Sequence, residues 1–179
     1  MNIEKIGAGK NAPKEINVII EVPMGSDPVK YEFDKDSGAI MVDRFVQTAM
    51  FYPCNYGFVP STLSKDGDPV DVLVLANHPI IPGAVIKARP IGVLMMEDES
   101  GLDEKILAVP TTKLDPYFAD IKSYKDLPEV LINRIKHFFE NYKALEKGKW
   151  VKVGGWEDES AAEKIIQEGL ELCSSKLSN

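Results

Sequence analysis

Cysteine and histidine are almost missing from this chain: Cys54 and Cys173 are the only thiols, His78 and His137 the only imidazoles. Two distant thiols without ligand spacing suit a reducing cytoplasm better than a disulfide framework. So few sulfur and nitrogen ligands also leave no zinc centre of the Cys/His kind. A bound metal must therefore be held by carboxylate oxygen, which selects magnesium, manganese or calcium. Long apolar runs are lacking as well. No stretch of about 18 apolar residues is available to cross a bilayer. Met1-Asn2-Ile3-Glu4-Lys5 lacks the apolar core of a signal peptide, so a soluble, cytoplasmic protein with no membrane partner is expected. Clustered positive charge is missing too. A net charge of −7 argues against a nucleic-acid partner, because gripping a phosphate backbone requires a basic surface. With no repeat, low-complexity tract or linker, 179 residues at 44% hydrophobic content suit one domain, 1–179.

What the chain has instead is acid, and it is concentrated. Lys65-Asp66-Gly67-Asp68-Pro69-Val70-Asp71-Val72 places three carboxylates within six residues, at the start of an apolar run. Gly67 permits backbone geometry that other residues resist, and Pro69 fixes φ and withholds an N–H, so the segment reads as a rigid loop. Val70 to Leu75 then reads as a strand entering the core. Asp71 is caught inside that run, where a carboxylate needs a metal, a base or a hydrogen-bond network to offset lost hydration. Asp66 and Asp68 also fit an ordinary solvated turn. An EF-hand is excluded by spacing. That loop needs acids at positions 1, 3 and 5, Gly at 6 and Glu at 12, whereas counting from Asp66 puts Val70 at 5, Asp71 at 6 and Asn77 at 12.

Upstream, residues 1–15 lack periodicity and predict an irregular lead-in. Ile16 to Pro23, Val29 to Asp34 and Ala39 to Phe45 read as strands, joined by turns at Met24 to Asp27 and Lys35 to Gly38. Period two places Ile19 with Glu21, Lys30 with Glu32, and Val42 with Arg44 on shared faces. Such a charged face is either the solvent side or the wall of a polar cavity. Phe51 to Pro60, dense in aromatics and turn formers, predicts a packed irregular loop carrying Tyr52 and Tyr56. Val85 to Ala88, Ile91 to Met96 and Ile106 to Val109 are further strands. Between the last two, Glu97 to Lys105 is a second acid cluster that reads as a solvated hairpin tip abutting strand ends.

Asp126-Leu127-Pro128 opens a helix whose Leu131, Ile135, Phe138, Phe139 and Tyr142 form a core stripe. Packing alone explains Tyr142 there, and a helix C-terminal cation explains Lys143. Lys147 to Trp156 interleaves basic and aromatic residues, but is too short, in an acidic chain, to imply a single-stranded nucleic acid. Ser160 to Glu163 spells a capping box for a last helix. Its buried side is Ala162, Ile165, Ile166, Gly169, Leu172 and Cys173.

The acids Asp66, Asp68, Asp71, Asp98 and Asp103, with Glu21 and Glu32, outnumber the needs of one cation, and Lys30, Arg44, Lys105 and Lys143 are interspersed among them. Carboxylates that gather divalent metals plus bases that gather an anion describe a site for a metal-complexed phosphate compound. At this point the chain resembles the family I soluble inorganic pyrophosphatases. Asp66-Gly67-Asp68-Pro69-Val70-Asp71-Val72 matches that family's motif. The likeness continues in Glu21-Val22-Pro23, Lys30-Tyr31-Glu32, Asp43-Arg44, Tyr52-Pro53-Cys54-Asn55-Tyr56-Gly57, Asp98 with Asp103 and Lys105, and His137-Phe138-Phe139-Glu140-Asn141-Tyr142-Lys143.

The resemblance implies a mainly β fold, a five-stranded OB-like closed β-barrel with two flanking α-helices at about 128–143 and 160–176. It implies a single catalytic domain that hydrolyses pyrophosphate, taken as its magnesium complex, to two orthophosphates. By the same analogy Asp66, Asp71 and Asp103 hold a first Mg2+, and Asp71 also reaches a second. Asp98 with Asp103 holds one arriving with substrate, and Glu32 serves a further site through water. Asp68 is the general base, Lys30, Arg44, Tyr56, Lys105, Tyr142 and Lys143 bind the phosphates, and Glu21 and Tyr52 support them. Mn2+ can substitute and Ca2+ inhibits. A homohexamer is implied, with the His137 helix as the contact; Asn141 stands where some members carry a second histidine. A calcium-binding OB-like module and a broader metal-dependent phosphoesterase remain as other classes.

Overall fold

Nine strands and two α-helices make up the computed structural model, which describes residues 3–34 and 37–177. The strands are β1 (Ile16–Val22), β2 (Val29–Phe33), β3 (Ile40–Phe45), β4 (Asn55–Phe58), β5 (Asp71–Val74), β6 (Val85–Asp98), β7 (Gly101–Leu102), β8 (Lys105–Pro110) and β9 (Val151–Glu157). Helix α1 (Glu129–Asn141) lies between β8 and β9, and α2 (Glu159–Leu177) ends the described chain. Of the turn expected at Lys35 to Gly38, Lys35 and Asp36 lie outside the described residues, as do Met1 and Asn2 of the lead-in.

Five strands close a ring. β1 pairs with β4, β4 with β5, β5 with β8 and β8 with β6, and the first residues of β6 return to β1 from Ile16↔Ala88 to Ile19↔Val85. This is the mainly β, OB-like arrangement expected, with the two helices packed outside it. One pairing in the ring is parallel: β5 beside β8 sets Asp71 next to Lys105 at the start of both strands.

The strands are apolar on both faces because each face meets a core. Along β5 and β8, Leu73, Leu107 and Val109 join the cluster under α1, whereas Val72, Val74, Ile106 and Ala108 join the cluster that α2 covers. Period two thus splits one apolar run between two cores, which is why these strands read as continuous rather than alternating. From α1, Ile135, Phe138 and Phe139 are buried; Leu131 packs only in part while Ile132 takes the interior place. From α2, Ala162 and Ile166 are buried and Ile165 is partly so, but Leu172 is 42% exposed and Cys173 half-buried, so the apolar stripe fades in the last turns. The helix also begins before the expected capping box. Asp158 Oδ1 accepts from the Ala161 N–H at 3.0 Å, so Asp158 rather than Ser160 caps it.

Three further segments differ from the sequence reading. Phe51 to Pro60 is not wholly irregular, since Asn55–Phe58 is a buried strand of the ring. Gly57 allows it: a Cβ there would lie 2.0 Å from the Ile19 carbonyl oxygen, so only glycine lets β4 approach β1. The two strands expected between Val85 and Met96 are one, and Pro90 is accommodated where the register shifts between Pro90 and Gly92. The basic and aromatic segment from Lys147 to Trp156 supplies most of β9, an antiparallel partner of β6.

Candidate active site

The β2–β3 hairpin is a separate two-stranded sheet beside the ring. Its register shifts between Lys30 and Tyr31, leaving Asp43 without a ladder partner between Arg44 and Val42. Arg44 stands opposite Lys30 in the register and lines the same cleft as Lys30 and Glu32, while past the bulge Val42, expected on that face, pairs with Tyr31, is 52% exposed and does not reach it. The Asp43 carboxylate accepts from Arg44 Nη1 at 2.8 Å and lies 3.2 Å from Lys30 Nζ, so it fixes both cations. The charged face of the hairpin is therefore a cavity wall.

The loop ahead of β5 is held by local bonds. Gly67 takes a φ of +100°, the Asp68 N–H donates to Asp66 Oδ1 at 3.0 Å, and buried Thr62 Oγ1 accepts from the Val70 N–H at 3.0 Å. These set Asp66 and Asp68 on an exposed loop and Asp71 at the strand start. The second acid cluster is less solvated than its composition suggests. Asp98, at the end of β6, is buried, and its Oδ2 accepts from Lys143 Nζ at 2.6 Å. Lys105 Nζ donates to both Asp71 and Asp103.

All fourteen residues expected from the sequence line one cleft of about 270 Å³: Asp68; Lys30, Arg44, Tyr56, Lys105, Tyr142 and Lys143; Asp66, Asp71, Asp98, Asp103 and Glu32; Glu21 and Tyr52. The aromatic members form one wall. Tyr52 packs 5.6 Å from the Tyr56 ring, and Tyr142 stacks on Phe138 at 5.4 Å. Burial raises all three phenols well above their usual range, so each stays a neutral O–H donor. The ammonium of Lys105 lies 5.7 Å over the Tyr56 ring and that of Lys143 5.5 Å over Tyr142.

Electrostatics in the cleft are those of crowded acid. Burial pushes Glu21 up to about 8, against the lowering effect of the Phe33 N–H that donates to its Oε1 at 2.8 Å. Asp103 is raised by burial and by Asp71 and Asp98, although Lys105 pulls the other way. Asp66 is raised by partial burial and then by Asp68, Asp103 and Asp71. For Lys105, burial favours the neutral amine, but Asp71 and Asp103 outweigh it and hold the ammonium above its ordinary range.

Two charged residues of the cleft carried no assigned role in the sequence reading. Lys149 Nζ lies 2.5 Å from Glu99 Oε1, and that carboxylate also lies 3.6 Å from Lys143. Burial would raise Glu99, but the Lys149 hydrogen bond and the Lys143 charge bring it down to about 2. Nothing in the linear sequence separates Glu99 from its acidic neighbours or Lys149 from a solvated loop.

The donor set fits a hard divalent cation. Its ligands are oxygen, and eight carboxyl groups face five cationic side chains around the cleft. That excess of acid repels a free polyanion and accommodates one accompanied by divalent metal. Among the described residues no three acids, histidines or cysteines already converge as a ligand set. Ammonium groups stand between the acids instead, Lys105 between Asp71 and Asp103 and Lys143 against Asp98.

The sequence profile of the inorganic pyrophosphatase family matches residues 18–174. The chain belongs to the inorganic pyrophosphatase family of enzymes. The Rickettsia conorii protein named inorganic pyrophosphatase is 67% identical over 174 residues, 97% of this chain and 100% of that protein. Among solved structures, an Anaplasma phagocytophilum protein described as an inorganic phosphatase has a TM-score of 0.93 at 57% identity, covering 94% of this chain and 99% of that one. Thermus thermophilus inorganic pyrophosphatase has a TM-score of 0.92 at 45% identity, covering 97% and 99%. Membership in the pyrophosphatase family sets aside the calcium-binding module that composition alone left open.

Proposed function

We propose that this chain, as a single catalytic domain, hydrolyses inorganic pyrophosphate to two orthophosphates and takes its substrate as the magnesium complex. The observation that carries the reading is the convergence of acids and bases, from loop, hairpin, barrel and α1 turn, on one cleft. Asp66, Asp71 and Asp103 would hold a first Mg2+, Asp71 would reach a second, Asp98 with Asp103 would hold one arriving with substrate, and Glu32 would serve another through water. Magnesium, when bound, supplies Lewis-acid charge and makes water acidic enough to be a nucleophile near neutral pH. Mn2+ can substitute for it, and Ca2+ inhibits.

The side chains supply the rest. Asp68, on an exposed loop between two acids, accepts the proton of the attacking water at its carboxylate. Lys30, Arg44, Lys105 and Lys143 screen the phosphate oxygens so that an anionic nucleophile can approach, and the neutral phenols of Tyr56 and Tyr142 donate to them. Glu21 supports this by tying the hairpin to β1 through the Phe33 N–H, and Tyr52 by packing between Tyr56 and Phe138. The protein acts in the cytoplasm as a homohexamer. No described helix is long and apolar enough to cross a membrane, and the His137 face of α1 is exposed. There Asn141 Nδ2 donates to the His137 carbonyl at 2.8 Å within the same helix, where a second imidazole would project differently.

Phosphate release from pyrophosphate, ATP and a simple monoester, each with and without magnesium, tests the reading. Pyrophosphate with magnesium is expected to be far the fastest. A comparable rate on the monoester would instead make the chain a broad phosphoesterase.

A further inference from the structure

The turn after α1 contains an inversion that packing does not explain. Leu145 is 69% exposed while the next side chain, Glu146, is only 11% exposed and points inward. Apolar residues ordinarily take the inner place and acids the outer one. The turn itself is firmly bonded on both sides of Glu146. Its N–H donates to the Lys143 carbonyl at 2.9 Å, and its carbonyl accepts from the Lys149 N–H at 3.2 Å. Glu146 therefore sits midway between two lysines of the cleft, and its carboxylate meets a third cation: Oε2 lies 3.4 Å from Arg44 Nε.

Arg44 belongs to a different element, the hairpin that stands outside the barrel ring. Asp43 occupies its Nη1 and Glu146 faces its Nε, so carboxylates stand at two of the three guanidinium nitrogens. Among the described residues no hydrogen bond or ion pair is made by Nη2, which leaves that edge for an oxyanion in the cleft that Arg44 lines. Burial disfavours the charge on Arg44, and Glu146 is foremost among the groups that restore it. Arg44 Nε and Glu146 Oε1 are both buried without a hydrogen-bond partner, and although the Glu146 charge also bears on Lys149, the guanidinium is the cation it meets at ion-pair distance.

We infer that Glu146 is a positioning residue: it orients Arg44 for the diphosphate and ties the hairpin to the α1 turn across the cleft. This rests on the assignment of Arg44 to phosphate binding. Losing Glu146 leaves the guanidinium held by Asp43 alone and less firmly oriented, so ground-state binding weakens while the chemical step, which depends on Asp68 and the metal-holding acids, does not slow.

The test compares Glu146→Gln in the full chain with and without Arg44→Ala. One readout is the KM and kcat for magnesium pyrophosphate. The other is calorimetric Kd for methylenediphosphonate with magnesium, whose P–C–P bridge is not hydrolysed. The expected result is a roughly tenfold rise in KM and Kd with kcat within about twofold. In the Arg44→Ala background the same substitution should change neither, because partners acting as one unit are not additive. Unchanged KM and Kd, or the same tenfold rise without Arg44, overturns the inference. If the Gln variant does not fold, Glu146→Asp replaces it; its carboxylate stops one methylene short, so Kd must still rise about threefold, and a wild-type Kd overturns the inference. Wild-type protein that binds the diphosphonate but releases no phosphate from pyrophosphate refutes the proposed hydrolysis, while the Kd comparison still decides the role of Glu146.

Discussion

The cleft has two unlike walls. On the barrel side Glu21, Asp98 and Lys105 are 6%, 7% and 3% exposed, set by strand ladders, and the aspartates Asp71, Asp98 and Asp103 already have lysine partners. On the outer side Asp66 and Asp68 are exposed on a loop, and Glu32 stands on a hairpin outside the ring with a side chain 51% exposed. A buried carboxylate is tolerable only when its charge is compensated, so the barrel wall carries its own counter-ions. A hydrated carboxylate costs little to hold and is free to exchange a proton with water. On the proposed reading the barrel wall places charge, while the loop contributes Asp66 to a metal and Asp68 to the proton of the attacking water.

The sharpest way to break this contrast is at Lys105. Lys105→Met would leave Asp71 and Asp103, both largely shielded from water, facing each other without their shared cation, a loss of about 3 kcal/mol of stability in the presence of a chelator. Millimolar magnesium should recover part of it, because a divalent ion bound between those acids replaces the missing ammonium and stabilises the folded state by mass action. Urea denaturation under both conditions measures this. Equal loss with and without magnesium would mean that the two acids do not hold metal.

The outer wall should behave oppositely. Asp68→Asn is expected to lower the rate at neutral pH by about two orders of magnitude, as for loss of a general base. Being on an exposed loop, it should shift stability by no more than about 0.5 kcal/mol. An unchanged pH–rate profile in that variant would place the base elsewhere.

A smaller effect, on the barrel wall, is expected through pH. The Glu21 carboxyl is raised from 4.5 to about 8 in the folded protein, chiefly by burial. As pH rises through that window the unfolded chain gives up this proton and the folded one retains it. Folded protein then binds more protons than unfolded, so stability falls with rising pH. Glu21→Gln keeps an acceptor for the Phe33 N–H and removes the titration. In metal-free buffer it should flatten the fall in urea midpoint between pH 4.5 and about 8 and leave the variant the more stable at the upper end. A midpoint profile parallel to wild type would show that burial does not hold this proton.

The barrel wall was the more legible in the sequence. Asp71 stands out because an acid inside an apolar run violates the pattern of its own strand, and Asp98 with Asp103 because they abut strand ends. Lys105 and Lys143 were grouped with the acids by composition, but which acids they meet was not legible: Lys105 has Asp103 two residues away, whereas Asp71 lies 34 residues from it and Asp98 lies 45 from Lys143. Where the reading went astray, tertiary contact decided the outcome. Gly57 looked like a loop residue and is the close approach that makes β4 a strand. Val42 was placed beside Arg44 by period two, and the bulge at Asp43 separates them. Glu99, Lys149 and Glu146 left no linear signal at all, because each acquires meaning only from a distant charge: Lys149 for Glu99, Arg44 for Glu146.

If this cleft holds magnesium pyrophosphate in reactive geometry, as proposed, its activity must depend on the size of the ion. Magnesium requires near-octahedral oxygen ligation at about 2.0–2.1 Å, whereas calcium takes 6–8 ligands at about 2.3–2.6 Å in looser geometry. Calcium should therefore occupy the same acids but position water farther out and acidify it less, impairing both alignment and nucleophile. Titrating calcium into a magnesium-supported assay of phosphate release from pyrophosphate is the measurement. Progressive inhibition, relieved by excess magnesium, is the predicted result; activity that rises with calcium, or that is present under neither ion, would contradict it.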